Sequence, residues 1–267
     1  MTEDAQPAPD AQAESPQQTA SGARVALVTG ATGAIGAAVS RTLAEQGIRV
    51  AMLARNRRRL ERLAQQIDRP DQTLVVRADV TEPFDLVEAR DAIRDRFGTD
   101  PDLVMVSAGV MRAANFEQSV PSEWKAMIST NVEGALYTAQ TFAEGLLKIG
   151  ETSRPADLIF VGSAPAQQRT KSYAVFSAMA ASVEQLAKHL RAEYGDRGVR
   201  VHHIAPFYVT SELGADMSDT EHYRRFQERA DEFESIDPDR VARLVCFMTQ
   251  MPARANLAAA TVRPVRS

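Results

Sequence analysis

Residues 24–36 read R-V-A-L-V-T-G-A-T-G-A-I-G, an apolar run followed by three spaced glycines. The apolar run R-V-A-L-V-T (24–29) has the length and composition of a buried strand. After it, Ile35, Ala38, Val39 and Leu43 recur at helical spacing, and Gly47 supplies the stop. Gly30, Gly33 and Gly36 therefore fall on a strand-to-helix turn. Missing side chains there let the backbone approach a pyrophosphate, and the helix N-terminus stabilises its charge. Glycines also permit a merely tight connection, but a strand before and a helix after favour the phosphate reading.

Working outward, the same alternation repeats. Further strands are expected at 48–53, 73–78, 102–107, 157–162, 199–204 and 259–264, with longer segments of helical period between them. The chain is thus read as α/β: a Rossmann-like, doubly wound parallel sheet of about seven strands with helices on both faces. No internal repeat is evident, so the reading is a single domain over 23–267 and not an array.

Bulk properties narrow the classes. Of 267 residues, 44% are hydrophobic, enough for one large core. The 31 Lys+Arg lie interspersed with 35 Asp+Glu, so no basic face marks nucleic acid or an anionic membrane as partner. No apolar run approaches the ~18 residues of a membrane span. The lone Cys246 sits in V-A-R-L-V-C-F-M, reads as a buried thiol and suits a reducing compartment. Residues 1–22 are rich in Pro, Gln, Ala, Ser and acids, without Lys or Arg, and read as a disordered tail with no secretory signal. A cytoplasmic location is expected.

From Arg24 onward the chain resembles the short-chain dehydrogenase/reductase superfamily. The motifs are T-G-A-T-G-A-I-G (29–36), A-R-N (54–56), D-V-T (79–81), V-S-A-G (106–109, where N-N-A-G is usual), T-N-V (130–132) and I-A-P-F-Y-V-T-S (204–211). Ala34 stands at the middle glycine of the usual shorter-chain pattern, and Gly33 fits the spacing of longer members instead. The resemblance implies a cofactor cradle from Gly30, Thr32, Gly33, Ile35 and Gly36. Asp79 and Val80 would frame the adenine, although an aspartate after a strand equally caps a turn. Ala108, Gly109, Pro206 and Val209 would line the remainder. Strand two ends at Ala54-Arg55 with no acid for a ribose 2′-hydroxyl, and Arg55 suits a 2′-phosphate, so NADP(H) is expected over NAD. A homodimer or homotetramer is implied by the same analogy, as is a substrate lid around 211–235. No metal site is expected: His202 and His203 lie on a strand with alternating faces, at most one pointing inward, and neither has a ligand neighbour.

The resemblance places a serine on strand five, a tyrosine 13 residues later and a lysine four beyond. Ser163 leads to Phe176 and then to Ala180. The helix F-S-A-M-A-A-S-V-E-Q-L-A-K-H-L-R-A-E-Y continues without a gap in this frame. Taking Tyr173 instead shortens the interval to 10 and puts Ser177 where the lysine belongs. Family members use the tyrosine to protonate an alkoxide, the lysine to lower its pKa, and the helix asparagine, here Asn131, to end a proton relay. Phenylalanine has no proton to give. Ser163 remains to orient a carbonyl, and Tyr173 and Tyr208 are the candidate surrogate acids. Three functions follow: an atypical enzyme with the standard reduction machinery lost and the pocket turned to cyclisation, isomerisation or non-standard reduction; a non-catalytic NADP-sensing or partner-binding protein; or an ordinary ketoreductase using Tyr173.

Overall fold

The computed structural model describes residues 23–164, 170–215, 217 and 219–265, so the 1–22 segment lies outside the described residues. Seven parallel strands form one sheet in the order β3-β2-β1-β4-β5-β6-β7. They are β1 Val25–Thr29, β2 Arg49–Ala54, β3 Thr73–Arg77, β4 Leu103–Val106, β5 Ala156–Val161, β6 Val199–Pro206 and β7 Ala259–Val262. All seven expected strands form, with ends displaced by one or two residues.

The helices are α1 Ala34–Glu45, α2 Arg57–Ile67, α3 Pro83–Phe97, α4 Pro121–Met127, α5 Gly134–Gly150, α6 Ala174–Tyr194, α7 Thr220–Glu232 and α8 Pro238–Gln250. Strand alternation sends successive side chains to opposite faces. Ala26 and Val28 of β1 pack with α1, α2 and α8, whereas Val25 and Leu27 pack with α3, α5 and α6. Both faces are covered, which is why the strands read as continuous apolar runs rather than as alternations. The same covering corrects the expectation for the paired histidines. His202 and His203 are both buried, because neither face of β6 meets water.

Strand order reverses between β1 and β4. In such sheets a crevice opens at the carboxyl ends of the strands beside that reversal, and here it lies between the turn after β1 and the ends of β4, β5 and β6.

Candidate active site

Three glycines form one wall of the crevice. Gly30 has φ +65°, and a Cβ on it would meet Ala108 Cα at 2.7 Å and Ser107 O at 2.8 Å. A Cβ on Gly36 would lie 2.4 Å from Gly30 O, so the start of α1 rests directly on the turn. Gly33 is the N-cap of α1, offers no side-chain cap, and the first turn holds no acid. The leading N–H groups of α1 are thereby left for a ligand anion. Buried Thr29 pins the opposite wall: its hydroxyl donates to Met105 O at 3.2 Å and accepts from the N–H groups of Ser107 and Ala108 at 3.0 and 3.3 Å.

Ser163 follows β5, and Phe176 and Ala180 sit one turn apart on α6, so they share a helix face. All three line a cleft of about 1100 Å³. The same cleft is lined by Gly30, Thr32, Gly33, Ile35 and Gly36, by Arg55, Asp79 and Val80, by Ala108, Gly109 and Asn131, and by Tyr173, Pro206, Tyr208 and Val209. Every candidate site residue read from the sequence therefore faces one space.

Local geometry separates their capacities. Asn131 lies in a π-helical turn, Ile128–Glu133, between α4 and α5. Its amide accepts from Val110 N and donates to Val110 O, both at 2.8 Å, which fixes it against the segment after β4. The carboxylate of Asp79 accepts from the Thr81 N–H and hydroxyl at 3.0 and 2.9 Å, so part of its work is to hold the turn. Burial pushes the Tyr173 phenol up to about 12, neighbouring Tyr208 adds to the rise, and Arg229 only partly opposes it. An acid meant to protonate an alkoxide near neutral pH needs the opposite shift. Tyr208 is buried, stacked 6.0 Å from Phe233 and edge-on to Phe226 at 5.2 Å. Phe207 packs edge-on to both Tyr208 and Phe233, with the Arg263 guanidinium 5.2 Å above its ring.

At the other end, Arg55 is exposed and makes no ion pair or side-chain hydrogen bond among the described residues. Sequence reasoning missed Arg59 on α2, which donates to Thr32 O at 3.2 Å and to Glu212 at 2.8 Å across the cleft mouth. It lies three residues after the N-cap Asn56, one turn from Arg55, and the run of arginines does not single it out. Among the described residues no group of three or more His, Cys, Asp or Glu is placed to hold a metal. No described helix is long and apolar enough to cross a membrane.

A family model described as short chain dehydrogenase matches residues 24–222. The chain belongs to that family. It is 31% identical over 244 residues to an uncharacterized oxidoreductase of Staphylococcus saprophyticus, a match covering 91% of this chain and 97% of the relative. A second uncharacterized oxidoreductase, from Staphylococcus aureus strain USA300, is 31% identical over 242 residues, again 91% of this chain and 97% of the relative. Among solved structures, an alcohol dehydrogenase of the archaeon Thermococcus sibiricus complexed with 5-hydroxy-NADP superposes with a TM-score of 0.79. It is 22% identical, over 91% of this chain and 97% of that one. The 3-ketoacyl-(acyl-carrier-protein) reductase of Brucella melitensis, complexed with NADH, gives 0.81 at 23% identity over 91% and 98%. At such identities these two likenesses establish the fold alone. In this chain α6 contributes the phenyl ring of Phe176 and the methyl group of Ala180 to the cleft that Ser163 also lines.

Proposed function

We propose that this short-chain dehydrogenase is an atypical NADP(H)-binding enzyme that acts on a small, partly apolar metabolite without the family's usual proton donor. The observation that carries this reading is the pair Phe176 and Ala180 lining the cleft with Ser163. Neither side chain donates a proton or a hydrogen bond. Tyr173, the nearest phenol in sequence, is held as a weaker acid by burial, which disfavours an ordinary ketoreductase.

The residues present fit the cofactor. The Gly30 and Gly36 cradle would be filled by a Cβ, the N-terminal N–H groups of α1 suit a pyrophosphate, and Arg55 suits a 2′-phosphate with no acid beside it. When bound, NADP(H) supplies or accepts hydride. Ser163 orients a carbonyl oxygen, and Phe207, Tyr208 and Phe176 exclude water around it. No side chain at the Phe176 position quenches an alkoxide, and loss of one positioned acid costs ~10²–10⁴ in rate. Such a pocket favours substrates whose rearrangement needs holding and desolvation more than protonation, as in cyclisation or isomerisation. The same reading places the protein in the cytoplasm as a homodimer or homotetramer, by family analogy.

Residues 211–235 act in this proposal as the substrate lid. Both ends of the segment are anchored: Val209 bridges Ile236, Thr210 N donates to Ile236 O at 3.1 Å, and the Thr210 and Ser235 hydroxyls are 2.8 Å apart. Met217 and Met111 close under Gly214, on which a Cβ would sit 2.3 and 2.9 Å from their methyl carbons.

Calorimetric titration of the full chain with NADPH and with NADH tests the cofactor reading, and a ketone panel tests the chemistry. NADPH is expected to bind about tenfold tighter or more, with negligible NADPH oxidation by generic ketones. Equal affinities would remove the 2′-phosphate assignment. Robust ketone reduction that Tyr173→Phe abolishes would restore an ordinary ketoreductase.

A further inference from the structure

Immediately before α6, three side chains that the cleft does not use stand in series. His222 Nε2 lies 2.9 Å from Ser172 Oγ, and His222 Nδ1 lies 2.7 Å from Asp219 Oδ2. We propose that Ser172, His222 and Asp219 form a nucleophilic relay, able to transfer a small acyl group from an activated ester to water at a site beside the dinucleotide cleft.

Each member is held for the part. Asp219 is the N-cap of α7, and its Oδ1 accepts from the N–H groups of Glu221 and His222 at 3.1 and 3.0 Å, which leaves Oδ2 to fix the ring. These backbone and ring hydrogen bonds hold the Asp219 carboxyl below its usual range, so it stays ionised and keeps the proton on Nδ1. In the neutral ring Nε2 is then the acceptor facing the serine, the order of contacts a nucleophile, base and orienting group require. Ser172 has φ +71°, a left-handed conformation rare for a residue with a side chain. Strain of this kind gathers at functional positions when the surroundings enforce it. Here Ala114 N donates to Ser172 O at 3.0 Å, and the Ser172 hydroxyl donates to Asn115 Oδ1 at 2.9 Å. The Asn115 Nδ2 donates to Gln118 Oε1 at 3.4 Å, which holds that oxygen toward the serine, so the relay needs the Ser172 hydroxyl to rotate its proton from Asn115 Oδ1 to His222 Nε2, each 2.9 Å from Oγ.

Ser172 also borders a recess of about 10 Å³, room for about one water or a methyl-sized group. Trp124 lines this recess, and its Nε1 is buried with no hydrogen-bond partner among the described residues. Together with the N–H groups at the start of α6, it is a donor for a developing oxyanion. In the step, Oγ bonds to the carbonyl carbon and its proton passes to Nε2. The bond to the leaving oxygen then breaks and that oxygen takes the proton. Water repeats the sequence and releases the acid. The size of the recess restricts the acyl group to about the acetyl class.

p-Nitrophenyl acetate is the probe, applied to the full chain, because its acetyl group is within the size the recess admits. Acid-quenched samples are read by intact mass and peptide mapping for the acetyl adduct, and turnover by release of p-nitrophenol. One adduct is expected, on Ser172, with p-nitrophenol release that depends on His222. Ser172→Ala should abolish both, and His222→Gln should slow them by about 100-fold or more. Melting curves check each variant. If His222→Gln does not fold, Asp219→Asn is read instead, with a loss of about tenfold or more. No adduct on Ser172, or an adduct formed as fast without His222, would overturn the proposal and leave the three residues as a structural clasp between α7 and α6.

Discussion

Phe176 is where a single side chain decides most. It packs partly buried against the cluster of Val28, Ile159 and Tyr208, so its ring has a structural place as well as a position in the cleft. The double change Phe176→Tyr with Ala180→Lys should give measurable NADPH oxidation with generic ketones, about 100-fold or more above the wild type. It puts an acid and a cation that lowers the acid's pKa on one helix face. The check is absorbance of NADPH at fixed ketone concentration. No gain in a folded double variant would mean that Phe207 or the lid denies the nicotinamide its position. Arg55 makes a second residue-scale case. It is exposed and unpaired among the described residues, so Arg55→Ser removes little from the fold. A charge-assisted hydrogen bond contributes about 1.5–3 kcal/mol, hence NADPH affinity should fall about tenfold or more while NADH affinity barely changes. Titration of both cofactors separates this from a general loss of binding. At this scale the sequence was most legible where the family resemblance supplied a spacing, as for Ser163, Phe176 and Ala180, which line one cleft. It was least legible where a contact joins distant segments: nothing in R-N-R-R-R indicates that Arg59 and not Arg57 crosses to Glu212.

The first strand, glycine turn and helix show how an element sets its own tolerance. Gly36 lies inside α1, where alanine is the better helix former, yet its missing Cβ is what allows α1 to sit on Gly30. Gly36→Ala should therefore destabilise the protein by about 1–3 kcal/mol, since the obstructing atom is backbone and cannot swing away. NADPH binding should weaken with it, because the displaced helix start is, in the proposed function, also the pyrophosphate cradle. Gly195→Ala is the matched control: nothing lies within 4 Å of its added Cβ, and stability should hold to within about 0.5 kcal/mol. Urea denaturation of both variants measures the difference. Elements were the level at which the fold was most legible, since apolar runs buried on both faces read as strands whatever their partners. The strand ends moved by a residue or two because hydrogen bonding across the sheet, absent from any local pattern, sets where pairing stops. The relay of Ser172, His222 and Asp219 was illegible for a related reason, as it joins the start of α6 to the start of α7 across 47 to 50 residues.

Across the whole molecule, the two ends of the sheet have divided their tasks. The carboxyl ends of the strands open into the cleft, and the opposite end is closed by a buried ionic cluster. Asp157, at the start of β5, accepts from Arg200 at 2.7 and 2.8 Å and from Arg24 at 2.7 Å, and it faces His202 Nε2 at 2.9 Å. Arg24 continues to Asp102 at 2.7 Å, and both arginines also donate to carbonyls at the end of α8, including Thr249 O. One carboxylate thus links β5, β6 and the residue before β1 to the helix that covers them. Burial opposes its charge, but the His202 hydrogen bond and the two guanidinium groups outweigh burial and hold the carboxyl at about 2, down from 3.8. A depressed carboxylate contributes stability above its unfolded pKa, and that contribution is lost as pH falls through the folded value. Wild type should accordingly lose about 2 kcal/mol from this group between pH 4 and pH 2. Asp102, raised chiefly by burial, works in the opposite sense and offsets part of the loss. Asp157→Asn leaves the buried Arg200 guanidinium without its counter-charge and Arg24 with Asp102 alone, and should cost about 3–5 kcal/mol at neutral pH. It should also flatten the acid limb of the stability curve, because the group that titrates there is gone. Chemical denaturation of both proteins from pH 6 to pH 2 gives the two curves. Parallel acid limbs would show that the pH dependence arises elsewhere. NADPH affinity of the folded variant at pH 7 should be unchanged, because the cluster lies at the end of the sheet opposite the cleft.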